Sequence, residues 1–173
     1  MRLFALLFFA ALAAHANSAF EGRWRLDLAR STALDGWSTA DLVIGVEGGK
    51  ISLRHDMTWH RSKVTATNRL DTALTTGADV ADFFRIDQRH MAVFVPPGRP
   101  SHVKAAWLDG GRTLRVEALV PLEISQGEAT MRIYSEYRVL EDGASLVLIE
   151  LHDSRSRPLV YHFTKVPETA AKK

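Results

Sequence analysis

Three glycine-bearing turns, each set between short segments that alternate apolar and polar residues, commit this chain to a sheet built from hairpins. Gly48-Gly49 separates residues 41–47 from 50–55, Asp109-Gly110-Gly111 separates 102–108 from 113–120, and Glu141-Asp142-Gly143 separates 130–140 from 145–152. Glycine accepts the positive φ that tight hairpin turns need, and period-two alternation marks a strand with one buried face. Further strands are expected at 20–27, 64–70, 89–95 and 158–166, with a short helical turn at 28–32. Residues 79–84 read as one helical turn or a strand start. The run Pro96-Pro97-Gly98-Arg99-Pro100 cannot continue a ladder and ends the segment before it. The fold class that follows is all-β, an antiparallel meander of about eight to ten strands with no helix long enough to form an α layer. A closed barrel, an open half-barrel and a sandwich all fit; hairpin-linked sequential strands favour the two barrel forms. Leu146, Val147, Leu148, Ile149 and Leu151 make one run apolar on both parities, which calls for cover on both faces or a face turned to a ligand cavity.

Residues 1–19 read as a secretory signal. Arg2 charges the n-region, residues 3–14 are an unbroken apolar run too short to span a bilayer, and Ala14-His15-Ala16 fits the small-x-small cleavage rule. Cleavage is expected after Ala16, with Ala19 as the second position, giving a periplasmic or secreted bacterial protein. Residues 17–168 then form one domain and 169–173 a flexible polar tail. The chain has no cysteine, which excludes disulfides, thiolate metal sites, cysteine nucleophiles and lipid attachment through a processed cysteine. Its 22 basic and 20 acidic residues are well mixed, so no field is expected that would steer nucleic acid. No apolar run after the signal is long enough to cross a bilayer as a helix.

Gly22-Arg23-Trp24 opens the first expected strand, which continues Leu26-Asp27-Leu28-Ala29-Arg30-Ser31, with Trp24, Leu26 and Leu28 on one parity. A glycine there allows close backbone approach, while the indole fills the closed end of a barrel with its N–H reaching a carbonyl. This segment resembles the N-terminal signature of the lipocalins and the wider calycin superfamily. It is most similar to small exported bacterial lipocalin-like proteins that open with Gly-x-Trp-x-Leu-Asp-x-Ala-x-Ser. Residues 135–146 look like their penultimate hairpin, and Tyr161-His162-Phe163-Thr164-Lys165 looks like their closing strand. The resemblance covers both ends, and the middle only by strand rhythm. It implies a lipocalin-like barrel, closed or partly open, with Gly22, Trp24 and Lys165 as structural residues at one barrel end. Two departures stand out. Lys165 occupies the place of a last-strand arginine that packs on the signature tryptophan, and no room follows Val166 for a long C-terminal helix.

Catalytic and metal chemistry find little support. Six histidines follow the signal: His55, His60, His90, His102, His152 and His162. His55 and His60 flank Asp56, but an odd separation puts them on opposite faces of a regular strand and matches no zinc motif. His152 and His162 are expected to face outward beside Glu150 as solvated residues. There is no Gly-x-Ser-x-Gly elbow, Ser101 adjoins His102 only in sequence, and Glu117, Glu123 and Glu128 are expected on the wet face of the sheet. No catalytic residue, metal or cofactor is nominated. The expected function is a binding protein that holds a hydrophobic ligand, a lipid or fatty acid, in a barrel interior. Trp59, Phe83, Phe94, Trp107, Tyr134 and Tyr161 are its expected lining, and Trp37 is expected to cap the barrel mouth. The alternative is a non-enzymatic envelope module with a packed barrel, acting through Arg99 on the proline-rich loop.

Overall fold

The computed structural model describes residues 18–167, apart from 35, 87–95, 97 and 125–126. The expected signal, His90, Phe94, the strand expected at 89–95 and the C-terminal tail lie outside the described residues. Ten strands form one antiparallel sheet: β1 (Gly22–Leu26), β2 (Thr39–Glu47), β3 (Lys50–Trp59), β4 (Ser62–Asp71), β5 (Ala78–Val80), β6 (Ser101–Leu108), β7 (Thr113–Ile124), β8 (Gly127–Val139), β9 (Ser145–His152) and β10 (Leu159–Val166). Their spatial order is β4-β3-β2-β1-β10-β9-β8-β7-β6-β5. Every neighbouring pair but one is consecutive in the chain. The exception, β1 against β10, joins two meanders into one continuous sheet. The sheet ends, β4 and β5, approach each other without a hydrogen-bonded ladder, so the barrel is nearly closed and keeps one unsealed seam. This is the expected all-β meander, and it is compatible with a calycin-like fold. No helix among the described residues is long and apolar enough to cross a membrane.

The turns work as their composition requires. Gly48, Gly110 and Gly143 take φ of 59°, 65° and 63°, where any side chain would be strained. Gly22 also needs its freedom, with φ of 114°. A Cβ there would sit 3.5 Å from the Lys165 side chain, an ordinary contact, so backbone conformation and not the expected close approach demands the glycine.

Alternate side chains along each strand enter the core. One inward row runs Trp107, Leu114, Tyr137, Leu148 and Tyr161 across β6 to β10. Another runs Trp24, Leu42, His55 and Ala66 across β1 to β4. Trp24 is fully buried at one end of the barrel, and its Nε1 donates to the Phe20 carbonyl at 2.8 Å. Lys165 lies over the indole, Nζ 5.0 Å from the ring centroid, and donates to the Ala19 carbonyl. Phe20 in turn meets Trp107 edge-on. Leu28 does not continue the parity of Trp24 and Leu26. The strand stops at Leu26, the Asp27 carboxylate accepts from the Ala29 and Arg30 amides, and Leu28 is left exposed on that turn.

At the opposite end the segment 83–86 turns into the barrel, burying Phe84, Arg85 and Ile86. Asn68 on β4 clamps the Phe84 backbone on both sides, donating from Nδ2 to its carbonyl at 2.9 Å and accepting from its amide at 2.8 Å. Trp37 is buried and donates from Nε1 to the Ile86 carbonyl at 3.1 Å. It therefore ties this segment down as well as covering the mouth. Asn68→Leu is expected to cost about 2 kcal/mol, because it strands a buried amide and carbonyl. Hydrogen exchange should show the Phe84 amide opening before the β7–β8 ladder; unchanged protection there would contradict the clamp.

The outer wall of β1–β3 carries a charge network. Arg23 bridges Asp41 and Asp56 at 2.9 Å each, Arg25 forks onto Asp41, and Arg54 reaches Asp56 at 3.1 Å. Burial pushes the Asp41 carboxyl up, but the hydrogen bonds and charges of Arg25 and Arg23 outweigh it, and the group is held below the usual carboxylate range. Burial acts the same way on Asp56 and is likewise overridden, here by Arg54 and Arg23.

Candidate functional site

Two features of the barrel offer places for chemistry. The first is the seam. Between β2–β4 on one side and β5–β6 on the other runs a half-open cleft of about 540 Å³. Its floor includes Ile51, Leu70, Val103 and Ala105, all buried, and Val80 packs against the core beside them. Its rim holds Lys50, Arg69, Glu47, Asp71 and Asp79. The Asp71 carboxylate accepts from the Ala73 amide, and Asp79 pairs with His102 at 2.9 Å. The hydrogen bond that His102 donates to Asp79, with a second to the Thr76 carbonyl, raises the His102 pKa above its ordinary value. The cleft exists because β5 is only three residues long and cannot extend a ladder along the ten residues of β4.

The second is a polar group buried within the barrel wall. Ser135 on β8 pairs with Glu150 on β9, and its Oγ donates to Oε2 at 2.9 Å. His152 Nε2 stands 4.0 Å from the other carboxylate oxygen. Glu150 and His152 are buried, which corrects the expectation that His152 faces outward beside Glu150. The physical reason is parity. Both share the inward face with Leu146 and Leu148, while Ile149 and Leu151 carry the exposed one. A strand apolar on both faces gives no pattern from which to choose, and the charge of Glu150 pulls the reading outward. His162 does lie on the outward parity of β10. The Tyr137 hydroxyl, on the same inner face of β8, has its pKa raised by burial and then by the nearby Glu150 charge. Arg85 is also buried, its Nη1 3.9 Å from the Met131 sulfur.

The structure scatters the expected ligand residues. Tyr161 is fully buried on the inner face, and Trp107 is half-buried on the same face, with Nε1 lacking a hydrogen-bond partner among the described residues. Phe83 packs partly buried at the mouth of the inserted segment. Trp59 ends β3 and is 38% exposed. Tyr134 lies on the outer parity of β8, where its hydroxyl donates to Glu136, so it cannot line the interior. Among the rest, His55 is buried inward and His60 sits at the β3–β4 turn, Glu117 pairs with Arg115, and Arg99 pairs with Glu128 across the proline-rich loop. Among the described residues no three histidine, aspartate or glutamate side chains converge as metal ligands would. No family model matches the chain, and no curated protein is recognisably similar to it.

Proposed function

We propose that the chain is an exported, lipocalin-like binding protein that holds a hydrophobic small molecule, a lipid or fatty acid, reached through the open seam. The observation that carries this reading is the cleft of about 540 Å³ between β4 and β5–β6, within the range of ligand sites, with buried aliphatic residues at its floor and charges at its rim. A molecule with an apolar body and a polar end would match both. Export rests on the signal pattern of residues 1–19. The packed-module alternative draws on a different observation, the inserted segment 83–86 that occupies one end of the barrel.

The test is extraction. Purified protein is denatured and released hydrophobic molecules are identified by mass spectrometry, and the refolded protein is titrated with a fluorescent fatty-acid probe. Wild type is expected to release or bind such a molecule. Val80→Trp, which places a large ring over the cleft, is expected to weaken probe binding at least tenfold, a loss of about 1.4 kcal/mol. Wild type with neither released ligand nor probe binding favours the packed module.

A further inference from the structure

We propose that the β3–β4 hairpin tip is a docking element for an anionic lipid surface, with Trp59 seated among the headgroups. The tip is tight: Trp59 pairs with Ser62, and only His60 and Arg61 lie between them, with His60 at φ 51°. It therefore presents its side chains from a short, well-defined turn. Trp59 is exposed at its base and stacks at a tilt on His60, with ring centroids 5.1 Å apart. Arg61, Lys63 and Val64 are exposed beside it. Neither Arg61 nor Lys63 makes an ion pair among the described residues. No acid occurs between Asp56 and Asp71, and Asp56, like Asp41 beyond it, is already held by Arg23, Arg25 and Arg54.

An exposed indole flanked by uncompensated cations is the combination that settles at a membrane interface, where the ring takes the headgroup level and each cation meets anionic lipid. Trp24 and Trp37 are buried and Trp107 is packed against Phe20, so the barrel already places its other three indoles inside. A phosphate-rich nucleic acid would also meet the cations, but the exposed Val64 and the indole together favour a surface with an apolar layer beneath its charge. This inference is independent of the ligand reading, because the tip lies at the opposite end of β3 and β4 from the residues that line the cleft.

The experiment uses the chain from residue 17 onward, as cleavage of the expected signal leaves it, with vesicles of phosphatidylcholine alone or mixed with phosphatidylglycerol. The expected result is co-sedimentation with the mixed vesicles only, a blue shift of tryptophan emission, quenching by brominated lipid, and release at high salt. Trp59→Ala should lose the blue shift and the quenching. Arg61→Glu with Lys63→Glu should lower partitioning by about twentyfold or more, given about fivefold per cation near an anionic surface. Near-UV circular dichroism checks that both variants keep the fold, as exposed positions should. The proposal is overturned if wild type ignores anionic vesicles, binds neutral ones equally, binds an oligonucleotide more tightly than the vesicles, or if the charge-reversed chain partitions like wild type.

Discussion

Trp24→Ala is expected to lower the free energy of unfolding by about 4 kcal/mol. The indole is fully buried, so truncation removes its transfer energy and leaves a cavity that the rigid barrel end cannot collapse to fill. It also strands the Phe20 carbonyl, which accepts from Nε1. A typical domain has about 5–15 kcal/mol in total, so a loss of this size leaves a marginal fold. Trp24→Phe separates the contributions. It keeps most of the apolar body, loses the hydrogen bond, and should cost about 1–2 kcal/mol. Lys165→Met removes only the cation over the ring and the bond to the Ala19 carbonyl, and should cost about 1 kcal/mol or less. Denaturant unfolding measures all three. A Trp24→Ala loss below about 1 kcal/mol would show that the indole is not the closing piece of the barrel end.

The second large effect is a loss of stability in mild acid, centred on His55. Burial lowers its pKa from 6.5 to about 4, against a smaller opposing pull from the Asp56 charge. The folded protein therefore holds the ring neutral while the unfolded chain takes up a proton. The sign follows from proton counting: below 6.5 the unfolded state binds more protons, so stability falls with pH until the folded ring also protonates near 4. The gap between those values corresponds to about 3 kcal/mol. Asp41 and Asp56 act in a different window. Their carboxyls are held below the ordinary value of 3.8, so their contribution is intact above it and is lost only as pH falls further. Between pH 6.5 and 4, the difference between wild type and His55→Leu thus isolates the imidazole. His55→Leu should flatten that slope and cost little at neutral pH, since Nε2 has no hydrogen-bond partner among the described residues. Phe84, whose ring lies 5.0 Å from the imidazole, should be the first side chain to loosen in acid. Equal slopes in wild type and variant would refute the assignment.

Much of this architecture is legible in the sequence, and the reasons are local. Hairpins announce themselves because Gly48, Gly110 and Gly143 stand where only a positive φ will turn the chain. Trp24 is legible because a large indole beside a glycine at a strand start has few other uses. What is illegible depends on long-range register. The inward placement of Glu150 and His152 follows from how β9 pairs with β8 and β10, and a run apolar on both faces carries no record of that choice. The clamp from Asn68 to Phe84 joins residues whose polarity and periodicity give no hint of one another. The seam is equally hidden, because whether two sheet ends meet depends on the length and curl of the whole sheet. Tyr134 shows the opposite error: an aromatic residue was enough to suggest a lining, but its parity on β8 sets it on the outer wall.

The pairing of β1 with β10 has a mechanical consequence. Strands β1 to β4 and β5 to β10 are successive along the polypeptide, covalently continuous only through residues 72–77, yet knitted together on the far side of the barrel. A chain nicked in that link would still have two fragments that recognise each other strand to strand. Co-expressed as separate polypeptides, they form a split protein whose reassembly depends on the β1–β10 ladder together with the Asn68–Phe84 clamp and the Trp37–Ile86 bond.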